Sequence, residues 1–96
     1  MRSMGYIRRA VGRTFGIQPD SLSRECRERI YVDAREVFCY IACKEGYTTE
    51  EVADHLKRHR TTVLHALNKA SADMEYNRDF VKQVEKTYKT LENGLT

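Results

Sequence analysis

An all-α domain, a compact bundle of about five to six helices containing a helix-turn-helix, is the fold the sequence predicts. Three observations predict it. The 96 residues include one proline and five glycines, so few interior breaks are expected. Apolar residues recur at three- and four-residue steps, and no stretch alternates strictly enough for a half-buried strand. A short helix, a tight basic break and a longer helix also follow one another after Thr48, which is the layout of a helix-turn-helix. The length suits one core, so residues 1–96 are expected to form a single domain.

Each element has its own signal. Tyr6, Ile7, Ala10, Val11, Thr14 and Phe15 share one helical face, with Arg8, Arg9 and Arg13 elsewhere, and Gly16 ends that helix. Pro19 is placed to start a single short turn through Asp20, Ser21 and Leu22. Residues 23–28 have no apolar period and read as an exposed basic loop, with Arg24, Arg27 and then Arg29 at its far end. A central helix over about residues 30–44 follows, its stripe being Ile30, Ala34, Val37, Phe38, Ile41 and Ala42. Tyr31, Val32, Cys39 and Cys43 flank the stripe, a breadth that suits a helix touched on several sides. Gly46 stops it. Thr48 stands three residues before Glu51, the spacing of a capping box, and opens a short helix over residues 49–56 that buries Val52, Ala53 and Leu56. The four residues Lys57-Arg58-His59-Arg60 form the break. A longer helix over about residues 61–75 comes next, with Val63, Leu64, Leu67, Ala70 and Met74 inward. Asn77 is placed to cap a last helix over about residues 78–92, facing Phe80, Val81, Val84, Tyr88 and Leu91 to the core.

Charge adds a direction. The chain carries 17 Lys and Arg against 14 Asp and Glu, a net +3 that alone says little about partners. Its distribution says more. Residues 1–19 hold four arginines and no acid, and residues 55–72 hold four cations, all three histidines and no acid. A cationic entry to an amphipathic helix suits a surface that meets an anionic polymer, although an ordinary solvated face has the same composition. No apolar run approaches the roughly 18 residues of a membrane span, and the N-terminus has no signal-peptide pattern. A cytoplasmic, nucleoid-associated protein with no membrane partner is expected. Cys26, Cys39 and Cys43 follow no metal-ligand spacing and read as structural thiols.

Catalytic signatures are weak. His55-x-x-x-His59 has the spacing of a helical metal pair, but the break separates the two and no third ligand follows. No Ser/His/Asp set or paired carboxylates stand out, so no enzyme, cofactor, metal or small-molecule substrate is expected. The helix-turn-helix instead suits duplex DNA. Its second helix can enter the major groove with N-terminal side chains at base edges, and the helix terminus itself attracts phosphate. Arg58 and Arg60 can fork onto guanine. Thr61 and Thr62 can bond phosphate or touch a thymine methyl, while Thr61 could equally serve only as the helix cap. His65 and Lys69 continue the face at four-residue steps from Thr61. Lys57, His59 and Thr48 complete this candidate set, and His55 beside Leu56 reads as structural.

The run Thr61-Thr62-Val63-Leu64-His65-Ala66 resembles the signature of the C-terminal DNA-binding domain, domain IV, of the bacterial replication initiator DnaA. Phe15-Gly16-Ile17 with Leu22, then a basic loop, then Ala34-Arg35 in the central helix, match the same family in order. So does residues 48–56 with its Val52-Ala53 pair. The resemblance covers roughly residues 7–91. It implies double-stranded DNA as partner, with a helix-turn-helix in the major groove and a basic-loop arginine in the adjacent minor groove. By position that arginine is Arg27, with Arg29 beside it, Arg35 a phosphate contact, and Thr61, Thr62 and Lys69 matching family contacts. The setting it implies is a replication initiator or a mobile-element or phage regulator.

The chain departs from the family in two places. Gly-Arg-Asp-His is usual before the threonines, whereas here Lys57-Arg58-His59-Arg60 lacks the Asp and is one residue shorter from Leu56. An Asp accepts from cytosine N4 while Arg prefers guanine, so the site preference should differ. Thr49-Glu50 stands where the family often has apolar residues, and Glu50 near DNA would repel phosphate unless it reads a cytosine amine. No Walker A run occurs, so ATP-driven origin opening is not expected of these 96 residues. The competing reading is a protein-interaction module in which the helix-turn-helix is scaffold and Tyr40, Tyr47 or Tyr76 marks a partner patch.

Overall fold

Phe38 is the largest fully buried side chain, in one core with Ile7, Leu22, Val37, Ile41 and Val52. The computed structural model describes residues 2–24 and 27–94. Its helices are α1 (Met4–Phe15), a 3₁₀ turn (Pro19–Ser23), α2 (Arg29–Lys44), α3 (Thr49–Leu56), α4 (Arg60–Tyr76) and α5 (Arg78–Asn93). No strand occurs among the described residues. The helix α2 is the axis, packed against α1, α3, α4, α5 and the 3₁₀ turn, and α1 and α5 pack on each other. That position explains its broad apolar surface. Ala34, Val37, Phe38, Cys39, Ile41 and Ala42 are all buried, and together they cover about 200°, a little over half, of the helix circumference.

The helix ends follow local chemistry. The Ser3 hydroxyl accepts the Tyr6 amide at 3.1 Å to open α1, and Gly16 closes it in the left-handed region at φ 67°, where a side chain would be strained. Thr48 and Glu51 make the reciprocal capping box: Glu51 N–H donates to the Thr48 hydroxyl at 3.1 Å and Thr48 N–H to the Glu51 carboxylate at 2.9 Å. Asn77 ends α4 and opens α5, its side-chain oxygen accepting the Phe80 amide at 3.2 Å. Each such cap is worth about 1 kcal/mol.

Four expectations change. Arg29 is not in the basic loop but is the first residue of α2, ion-paired with Asp33 four residues on. The break between α3 and α4 has three residues, because α4 starts at Arg60 and not Thr61. Leu64 is 40% exposed, since it stands about 100° around the helix from the line of Val63, Leu67, Ala70 and Met74 that faces inward. Ile30 is 39% exposed despite sharing the angle of the α2 stripe, because it sits in the first turn, short of the elements that cover Ala34 onward. In the other direction, Thr87 is buried. Its hydroxyl donates to the Gln83 carbonyl at 2.8 Å and meets that of Thr14 at 2.6 Å, a polar bridge between α1 and α5.

Candidate nucleic-acid interface

The break between α3 and α4 is built from backbone first. Lys57 adopts left-handed angles, φ 56° and ψ 44°. The Arg58 amide then reaches back to the Ala53 carbonyl at 2.9 Å and the Lys57 amide to that of Asp54 at 3.2 Å. These two bonds form a Schellman closure, which satisfies the last carbonyls of α3. The chain re-enters helix at once because His59 caps α4: its Nδ1 accepts the Thr61 amide at 3.1 Å and lies 3.0 Å from the Thr61 hydroxyl. The capping reading of Thr61 therefore falls, and the imidazole takes that role. His59 retains only its Nε2 side for any further contact.

The front of α4 stays in solvent. Thr61, Thr62, His65 and Lys69 are exposed, on the side away from buried Val63 and Ala70. Arg60 turns back to α3 and pairs with Glu50 at 3.0 Å, both side chains 59% exposed. The carboxyl of Glu50 is held below its ordinary value by its own backbone amide first, then by Arg60 and Thr49. The acid that would repel a phosphate thus carries its own counter-ion, in an open pair that a stronger anion can exchange.

Lys69 is committed further inward. Its ammonium sits 2.9 Å from Glu36 and 3.0 Å from Asp73, using two of its three donors. Glu36 is a carboxyl on α2 with 3% exposure, pushed up to about 7 chiefly by burial, with Asp73 adding to the rise and Lys69 opposing it. Lys69 itself is raised by Glu36 and Asp73, and Asp73 is lowered by its hydrogen bond with Glu36. Glu36 had one visible signal, an acid set among the apolar positions of α2. Its partner, 33 residues away, had none.

A second group of cations converges on one backbone atom. The Arg24 carbonyl accepts from Arg35 Nη1 at 2.6 Å and from Arg58 Nη2. This ties the basic loop to α2 and to the turn before α4. Arg27 follows in the exposed part of that loop, and Arg29 stands 80% exposed on α2 beside Asp33. Thr48 is occupied as a cap, and Lys57 is exposed at the turn. The thiol of Cys26 lies outside the described residues. Cys39 is buried with its thiol pushed up to about 12 by desolvation, and Cys43 is raised for the same reason.

Other candidates resolve into structural roles. His55 stacks on Phe38 at 5.7 Å and 21°, and burial, then Arg8, lower its proton affinity. No group of three or more metal-ligating side chains occurs among the described residues. The three tyrosines offered as markers of a partner patch differ in exposure. Tyr40 packs edge-on against Phe80 at 6.1 Å, Tyr47 donates its hydroxyl to the Arg2 carbonyl at 2.7 Å, and only Tyr76 is widely exposed, at 84%. No described helix is long and apolar enough to cross a membrane.

With the helix order and turn geometry in place, comparison with known families gives a match over residues 4–70 to the bacterial dnaA protein helix-turn-helix. That span takes in α1, the 3₁₀ turn, α2, α3 and the outward-facing first part of α4. The chain belongs to the helix-turn-helix family of the bacterial DnaA protein.

Proposed function

We propose that this chain binds double-stranded DNA at a specific short site, with α4 in the major groove and the basic loop over the adjacent minor groove. The observation that carries the reading is the exposed face of α4, where Thr61, Thr62 and His65 take no part in the core. Thr61 and Thr62 sit at the helix N-terminus, where backbone amides and dipole favour phosphate. His65 lies one turn further into the groove, and Arg60 can leave Glu50 for a guanine edge. Lys69 serves as a phosphate contact through its remaining donor. Lys57, Arg58 and Arg35 add cations along the same border, and Arg27 is the minor-groove arm, with Arg29 beside it. Thr48 and His59 contribute by setting the two helix entries.

The site read should differ from that of relatives carrying Asp in this turn, because His59 and Arg60 offer no acceptor for cytosine N4. In either setting, initiator or mobile-element or phage regulator, the contribution is the same: it anchors the protein to a marked duplex. Selection of bound duplexes from a random pool is the test. One enriched motif of several base pairs, with affinity falling steeply between about 50 and 200 mM salt, is the expected result. A pool returned without enrichment, or binding indifferent to salt, overturns the reading.

A further inference from the structure

Arg60 and Glu50 are side chains of opposite hydrogen-bonding character, held together where α3 meets the start of α4. Arg60 is the first residue of α4, Glu50 stands in the first turn of α3, and their ion pair measures 3.0 Å. A guanidinium only donates and an ionised carboxylate only accepts. Glu50 stays ionised at neutral pH, since its own backbone amide, then Arg60 and Thr49, hold its carboxyl below the ordinary value. Neither group is used up by the pair. One Glu50 oxygen accepts from Arg60 Nη1 and the other from the Thr49 hydroxyl at 3.2 Å. A carboxylate has about four lone-pair sites and a guanidinium about five N–H groups, so both keep spare capacity. The neighbouring acid differs. Glu51 spends its carboxylate on the Thr48 amide at 2.9 Å, within the cap of α3.

Glu50 therefore sits, open to solvent, beside whatever the N-terminus of α4 meets. In the major groove that is a base-pair edge. A carboxylate close to phosphates is repelled unless a base donates to it, and the donors offered there are cytosine N4 and adenine N6. The ion pair chooses between them. Arg forks onto guanine O6 and N7, and the cytosine paired with that guanine holds its N4 within hydrogen-bond distance of the same O6. Acceptors and donor thus lie side by side along one edge, complementary to a guanidinium and a carboxylate that also lie side by side. We infer that Glu50 accepts the N4 amine of the cytosine paired with the guanine that Arg60 contacts, so that the two side chains read one G·C pair as a unit. This inference rests on the duplex-binding reading above.

The test uses the whole chain on its selected site. Selection repeated with Arg60→Ala identifies the pair, as the position whose guanine preference is lost. In a second duplex the cytosine of that pair is replaced by pyrimidin-2-one, which carries hydrogen in place of the 4-amino group. Wild type should bind this duplex more weakly, and Glu50→Ala should lose distinctly less. The ratio of the two losses should be at least about fivefold, the lower end for a good base-edge contact. The altered pair lacks one Watson–Crick bond for both proteins, so that effect cancels in the ratio. Glu50 is exposed, so the variant should melt close to wild type. Equal losses for wild type and Glu50→Ala overturn the inference and leave duplex binding standing. So does an Arg60→Ala selection in which no guanine position is relaxed. If wild type enriches no motif from the pool, the duplex-binding reading falls and takes this inference with it.

Discussion

Two residues carry unusual local energetics. Glu36 is buried on α2 and holds its proton up to about 7, against an ordinary 4.5. The folded state therefore binds this proton more tightly than the unfolded chain. Through this group, stability is greatest below about pH 4.5 and declines as pH rises through about 7. At about 1.4 kcal/mol for each pH unit between the two values, the decline amounts to roughly 3–4 kcal/mol. His55 acts in the opposite sense, since its lowered proton affinity costs stability as pH falls below about 6.5. Denaturation of wild type and Glu36→Gln between pH 4.5 and 8 separates the two, because only the Glu36 contribution vanishes in the variant. Parallel curves would mean that Glu36 is ionised throughout. Lys57 carries a different strain, the backbone penalty of a residue with a Cβ in the left-handed region at φ 56°. Lys57→Gly should raise stability by roughly 0.5–1 kcal/mol, seen as a higher melting temperature. If Lys57 also touches phosphate, the same variant loses close to one from the salt slope, so stability and affinity move in opposite directions.

At the scale of elements, the basic loop and the helix-turn-helix act as a pair because one carbonyl, that of Arg24, is bonded by both Arg35 and Arg58. Removing either arginine loosens the loop from which Arg27 reaches out. Arg27→Ala alone should cost about 1–3 kcal/mol of duplex affinity. In an Arg35→Ala background it should cost distinctly less, since the loop is already unanchored. A double-mutant cycle of dissociation constants measures the difference, and strict additivity would show that the Arg24 anchor does not position Arg27. Little of this was legible in the chain. The elements were, because Gly16, Thr48 with Glu51, and Asn77 each state a helix boundary within a few residues of sequence, whereas the Ser3 cap of α1 is seen only in the structure. The sequence shows where the α3–α4 turn lies but makes it one residue too long, since a histidine ring as N-cap and a lysine in left-handed geometry are both uncommon choices. The ties from Arg24 to Arg58 and from Glu36 to Lys69 span more than 30 residues, and no local pattern encodes such pairings. The exposed face of α4 was read from the spacing of Thr61, His65 and Lys69, yet Lys69 proved to be shared with the interior.

For the whole molecule, α5 is the informative piece, because it lies beyond the span matched to the family, residues 4–70, and yet closes the core. Phe80, Val84 and Leu91 are buried, and the helix is fastened to α1 through the Thr14–Thr87 hydroxyls and a 3.4 Å bond from the Tyr6 hydroxyl to the Leu91 carbonyl. Burying three such apolar side chains contributes about 1.5–3 kcal/mol each. That sum is comparable to the whole stability of a small domain, about 5–15 kcal/mol. A chain ending at Asn77 should therefore be largely unfolded, although it keeps every candidate DNA contact. Phe80→Ala offers the gentler version. It should cost about 3–5 kcal/mol in stability, read by chemical denaturation. Its effect on duplex binding should be indirect, through the folded fraction alone, because α5 supplies none of the side chains facing the proposed site. Affinity measured at a temperature where the variant is fully folded should match wild type. A folded Phe80→Ala protein with weakened binding would mean that α5 also sets the angle at which α4 is presented, a role that packing between α4 and α5 makes physically available.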